Sequence, residues 1–218
     1  MKVLIGLLLV VPLFSERGWQ VLTYRGIPAH DVRFSEAGLR VEVRRSAAPV
    51  IYPLMPPLVV RSVRARGRID GSLNVSADRQ GEPGFDDYAF RLGLVEVGNR
   101  RLGILERRLA PAWVRKLFSL APRGMGVSQI RFFNVGVEPR QLGRRRQHPL
   151  NDLIHEEVVA VPDGDGRFEL FVQLESAIET AAIWIATDGD DTRSAYTLIV
   201  ESIELGGPDE GESTGGTK

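Results

Sequence analysis

The alternation across residues 58–69 constrains this chain more than any other feature. Val63, Ala65, Gly67 and Ile69 fall on one side, and Arg64, Arg66 and Arg68 on the other. A period of two puts successive side chains on opposite faces of a strand, so one face seeks a core and the other meets water as a cationic stripe. Leu39, Val41 and Val43 repeat the pattern against Arg40, Glu42 and Arg44. With 23 Gly and 13 Pro spread through 218 residues, such patterning predicts many short strands joined by turns. The expected fold class is all-β, a two-sheet antiparallel β-sandwich of the jelly-roll kind, with one short helical insertion.

Further strand signals cover residues 18–24, 48–52, 89–97, 128–137, 153–160, 168–174, 180–186 and 196–205. Pro53, Pro56 and Pro57 are expected to stop the second of these, because proline cannot donate to a ladder. The helical stretch starts at Pro111, carries Trp113, Leu117 and Leu120 at helical spacing, and ends at Pro122 and Gly124. It is expected to close one end of the sandwich with its apolar side inward.

At the amino terminus, Met1 and Lys2 precede an apolar run across residues 3–14. A short cationic start and an apolar stretch of this length match a secretory signal, and the run is too short to span a bilayer. Residues 1–15 are therefore expected to be a leader, 16–205 the sandwich and 206–218 a disordered acidic tail, with a periplasmic or secreted location. A buried strand is the other reading of the same run. There is no cysteine, which excludes disulfides, zinc–thiolate sites and thiol catalysis.

The formal net charge of zero conceals segregation: residues 100–150 carry 12 basic and 2 acidic side chains, and residues 151–218 carry 3 and 16. In one domain the two segments are expected to neutralise each other. An arginine-rich stretch across 140–146 leaves open contact with anionic lipid or polysaccharide. Nucleic acid is disfavoured, because no reading module or aromatic platform accompanies the basic residues.

Two acidic motifs are the candidate site. An apolar run across 182–187 breaks into Asp188, Gly189, Asp190 and Asp191, followed by Arg193, and Asp86 and Asp87 precede another strand. If their loops meet, Asp86, Asp87, Asp188, Asp190, Asp191 and Arg193 are ligand-binding candidates. Asp188, Asp190 and Asp191 would offer the oxygen ligands that calcium takes. The alternative is that each pair caps its own turn. The Asp163-Gly164-Asp165-Gly166 stretch lacks the later ligands of a calcium loop and reads as a turn. No serine elbow, phosphate-cradling loop or zinc helix is present.

Gly18-Trp19, the run from Phe85 to Leu92, Asn151-Asp152 and the run from Thr187 to Thr192 together resemble, in the same order, the bacterial exported family called domain of unknown function 3047. The resemblance implies an exported β-sandwich without an established activity, and singles out Trp19, Asp86, Asp87, Asp152, Asp188 and Asp191. Three function classes follow: a non-catalytic binder of a polar ligand such as a glycan or cell-envelope polymer, a polysaccharide lyase or hydrolase using paired carboxylates, and an envelope protein using its arginine-rich stretch.

Overall fold

The computed structural model describes residues 8–148 and 152–208. Its strands are β1 (Leu8–Val10), β2 (Gln20–Val21), β3 (Asp31–Ser35), β4 (Gly38–Arg44), β5 (Val50–Ser72), β6 (Phe90–Gly98), β7 (Gly126–Val135), β8 (Arg145–Gln147), β9 (Ile154–Ala160), β10 (Arg167–Ala186) and β11 (Ala195–Gly206). Helices α1 (Ile104–Leu109) and α2 (Ala112–Ser119) lie between β6 and β7.

The hydrogen-bonded order is β3-β4-β11-β5-β10-β6-β7-β9-β8, with β1 on β11 and β2 on β5. The long strands β5 and β10 make this path a sandwich. The later part of β5 pairs with β11 and the start of β10, while its first residues pair with β2 and the end of β10, which in turn pairs with β6. Their register slips where β10 inserts residues 174–177 and again where β5 inserts 54–57. Extra residues of this kind bend a strand, so each long strand serves both layers. The inward faces then meet: Val41 of β4, Leu198 of β11, Leu92 of β6 and Ile183 of β10 share one core, and Phe90 lies 5.0 Å from Phe168.

Four expectations change. The prolines at 53, 56 and 57 lie inside β5 and do not end it. They sit beyond the last residue paired to β2 and at the register slip, where a missing N–H costs little. The segments 168–174 and 180–186 form one strand, β10. One pairing, β7 with β9, is parallel; the intervening residues are enough for a crossover that returns the chain in the same direction. A second helix, α1, precedes the expected one, its Gly103 N–H capped by Glu106 Oε2 at 2.7 Å.

The amino-terminal run is described from Leu8 onward, and residues 1–7 of the expected leader lie outside the described residues. β1 pairs with β11, Val11 N–H donates to Ile203 O at 2.9 Å, and Val11 and Leu13 are buried in the main core. The Trp19 indole N–H donates to Pro12 O at 2.7 Å, and its ring packs on Phe34 and Tyr52. Within residues 8–14, Val11 and Leu13 fill one edge of the core. Val11→Ala is expected to cost about 2 kcal/mol through lost burial and a small cavity, roughly 5 °C in melting temperature. An unchanged melting curve would exclude this segment from the folded core. Of the expected tail, Gly206 ends β11, residues 207–208 follow the strand, and 209–218 lie outside the described residues, as does Asn151.

The charged segments neutralise each other in part. Arg145 meets Glu157 at 3.1 Å, Arg146 meets Glu156, and Arg100 meets Asp152 at 2.9 Å. Arg140 is held by Asp78 and Glu138. The 140–146 stretch is thus engaged with its own chain, three of its arginines by carboxylates and Arg144 by Gln80 O at 3.3 Å, and is not a free cationic stripe.

Candidate functional site

The site grows from strand alternation on the outer face of one layer. In β6, Phe90, Leu92 and Leu94 point into the core, which sends Arg91, Gly93 and Val95 to the opposite face. In β10, Ile183 and Ile185 point inward and Trp184 and Ala186 outward. Register places Trp184 beside Gly93 and Gly93 beside Phe132. A Cβ at Gly93 would come within 2.7 Å of the Phe132 ring, so the floor of the site needs glycine there.

Helix α2 forms one wall. Leu117 is buried and Trp113 packs against the same apolar cluster, which realises the expected inward apolar face. The opposite wall consists of the two acidic loops, and they do meet. Asp87 Oδ2 accepts from the Thr192 N–H at 2.7 Å and from Thr192 Oγ1 at 2.5 Å. Asp188 N–H donates to Tyr88 O at 3.1 Å, and the Tyr196 hydroxyl donates to Asp188 O at 3.0 Å. A Cβ at Gly189 would lie 2.7 Å from Val43, so the loop also needs glycine at its closest approach to β4.

These walls enclose a cavity of about 550 Å³. Its lining includes Tyr24, Trp113, Trp184, Arg91, His148, Asp86, Asp87, Asp188, Asp190 and Asp191. Five of the six residues expected at the site are therefore present. Arg193 is not: it is an exposed turn residue at φ 55°, its carbonyl accepting from Asn74 Nδ2 at 3.3 Å. Of the other residues that the family resemblance marks, Trp19 is a packing residue and Asp152 a surface ion-pair partner.

Arg91 is the hub of the site. Its side chain is 7% exposed and reaches Glu156 at 2.9 Å through Nη1, Asp86 at 3.2 Å through Nη2 and Asp188 at 3.6 Å through Nε. Tyr88 presents its ring 4.4 Å beneath the guanidinium. Arg146 joins Asp86 to Glu156 from the other side, and His148 Nε2 lies 2.9 Å from Asp86 Oδ2. A planar fork suits such an arrangement, because one guanidinium can face three carboxylates in fixed directions.

This arrangement pushes two aspartates apart. Burial would raise Asp86, but the hydrogen bond from His148 and the charges of Arg91 and Arg146 hold its carboxyl down at about 2. Burial dominates at Asp188, where Arg91 opposes it and Asp87, Asp190 and Asp86 reinforce it, and the carboxyl is pushed up to about 7. Asp87 and Asp190 are also raised, chiefly by burial. Tyr24, raised by burial and then by Asp188 and Asp190, stays a protonated donor at neutral pH.

Among the described residues no three of His, Asp or Glu are grouped so as to hold a metal ion. The calcium position expected from Asp188, Asp190 and Asp191 is not assembled, since Asp188 faces Arg91 and a cation would compete with a guanidinium for the same oxygen. The Asp163 turn is confirmed: Asp163 Oδ1 accepts the N–H groups of Asp165 and Arg167, each at 2.9 Å.

Sequence reasoning missed Arg91, Glu156, Arg146 and His148 as site residues. A usable signal was Arg91 itself, an arginine between Phe90 and Leu92 in a central strand, since a buried cation requires acidic partners.

The molecule thus belongs to the class of β-sandwich proteins with an acidic, aromatic-lined cavity on one outer face. No protein-family model matches the chain, and no curated protein matches it. Two solved structures are similar in overall shape. A xylan-binding module, CBM15, aligns at 10% identity and TM-score 0.41 over 94% of this chain and 99% of its own. An apo Crh5 transglycosylase aligns at 9% identity and TM-score 0.35 over 94% and 86%. Among the described residues no helix is long and apolar enough to cross a membrane.

Proposed function

We propose that this protein binds a neutral, hydroxyl-rich polymer, a glycan or cell-envelope polysaccharide, in the cavity between α2 and the two acidic loops. One observation carries the reading: Trp113, Trp184 and Tyr24 share a cavity of about 550 Å³ with five aspartates. That volume lies within the usual range for small-ligand sites. Aromatic surfaces take the apolar faces of sugar rings, and carboxylates accept hydrogen bonds from sugar hydroxyls. Five carboxylates against Arg91 and His148 repel phosphates and anionic polymers, which also argues against nucleic acid. A periplasmic or secreted location belongs to the same reading.

Affinity electrophoresis through gels containing neutral polysaccharides tests it. At least one polysaccharide is expected to retard the protein, and Trp113→Ala should weaken that binding about 10-fold, equivalent to about 1.4 kcal/mol, without unfolding it. Unretarded migration across the neutral panel would refute carbohydrate binding.

A second reading has one observation in its favour. Asp86, ionised, and Asp188, raised to about 7, share the guanidinium of Arg91. Carboxyls driven apart in this way are the usual arrangement for an acid and a base. In a hydrolase or lyase, Asp188 would be the proton donor. Release of reducing ends from the retained polysaccharide, abolished in Asp188→Asn while binding persists, would establish it; binding without release keeps the protein a binder.

A further inference from the structure

Helix α1 protrudes beside the cavity wall and buries none of its side chains. Ile104, Leu105 and Leu109 are 83%, 69% and 76% exposed, and Met125 is exposed as well. At about 100° per residue the three helical side chains span an arc of about 140°. The bridge between Arg100 and Val127 brings Met125 to the base of the same protrusion. Single exposed aliphatic residues are ordinary on a protein surface, but three on one short helix with a fourth at its base mark an interaction site.

The charge around this patch specifies the partner. Arg101, Arg107, Arg108 and Arg123 are all exposed. Among the described residues none of the four has an ion-pair partner. Glu106, the single acid within residues 100–125, is engaged as the cap of Gly103. This is the reverse of residues 140–146, where Arg140, Arg145 and Arg146 are taken up by carboxylates of the same chain. Exposed aliphatic side chains rimmed by unpaired arginines match a bilayer interface, where the apolar groups enter below the headgroups and the cations meet lipid phosphates.

We propose that α1 and Met125 dock this protein onto the surface of an anionic phospholipid bilayer. Only Ala110 and Pro111 separate α1 from α2, and Pro111, Trp113, Val114 and Leu117 line the cavity. Docking through α1 therefore holds the cavity close to the membrane.

Sedimentation with vesicles tests the proposal. The full chain is expected to pellet with vesicles of phosphatidylcholine and phosphatidylglycerol, and not with phosphatidylcholine alone. Binding should fall at least 10-fold in a variant carrying Ile104→Asp and Leu109→Asp, and several-fold in one carrying Arg107→Glu and Arg108→Glu. It should also fall between about 0.05 and 0.5 M salt, as the Debye length shortens. Every substitution is on the surface, so melting temperatures should match the parent within about 2 °C. Failure to pellet with the anionic vesicles, or pelleting that these variants do not change, would overturn the proposal. So would a lipid-free dimer in light scattering that the same substitutions dissolve, since the patch would then be the contact between two copies.

Discussion

Arg91→Leu is expected to lower the melting temperature by roughly 10 °C at pH 7. The substitution leaves Asp86, Glu156 and Asp188 facing one another in a site where Arg91 itself is 7% exposed. Removing one member of a buried charge cluster costs about 3–5 kcal/mol, because the charges left behind have already lost their hydration. Each kcal/mol is worth about 2–4 °C in a domain of this size. Arg146 still reaches Asp86 and Glu156, so Asp188 loses the most. Arg91→Lys should recover less than half of the deficit, since an ammonium cannot face three carboxylates in the directions the fork serves. A melting curve for Arg91→Leu within 2 °C of the parent would show that the cluster does not hold the loops together.

The second large effect is a pH dependence centred on Asp188. Folding raises this carboxyl to about 7, against about 3.9 in an unfolded chain. The folded protein therefore binds more protons than the unfolded chain between these values, and stability falls as pH rises through that window. The contribution is fully present below about pH 4 and lost above about pH 7. Three units at about 1.36 kcal/mol each give about 4 kcal/mol. Asp86 has the opposite sign: its carboxyl is depressed to about 2, so its contribution holds above about pH 4 and is lost only as pH falls through 2. Between pH 4.5 and 8 the parent should therefore lose roughly 5–10 °C more than Asp188→Asn does. Parallel pH profiles for the two proteins would mean that Asp188 is ionised throughout, and would remove the basis for its role as a proton donor.

The β5 and β10 strands show how far the sequence reaches. Alternation announced the later part of β5 with its inward Val63, Ala65 and Ile69, because solvent and core impose opposite chemistry on successive side chains. The same reasoning found the apolar face of α2 and the turn at Asp163. It failed at Pro53, where the consequence of a missing N–H depends on whether a neighbouring strand is present to accept the bond. At the amino-terminal run an apolar stretch reads alike as leader or as buried strand, and only the tertiary structure sets residues 8–10 beside β11.

The site divides in the same way. Local chemistry alone marked Asp86, Asp87, Asp188, Asp190 and Asp191 as acidic loops at strand ends. Their convergence is a tertiary fact, set by the bond from Thr192 to Asp87 and by the adjacency of β6 and β10. Only that convergence gives Asp188 and Asp86 opposite shifts, because both burial and the charges facing each carboxyl come from residues far away in the chain. Residue types and their spacing, which act over a few positions, therefore determined the all-β class and the acidic loops. The cavity and the arginine hub arise from packing between distant strands, and only the tertiary structure decided them.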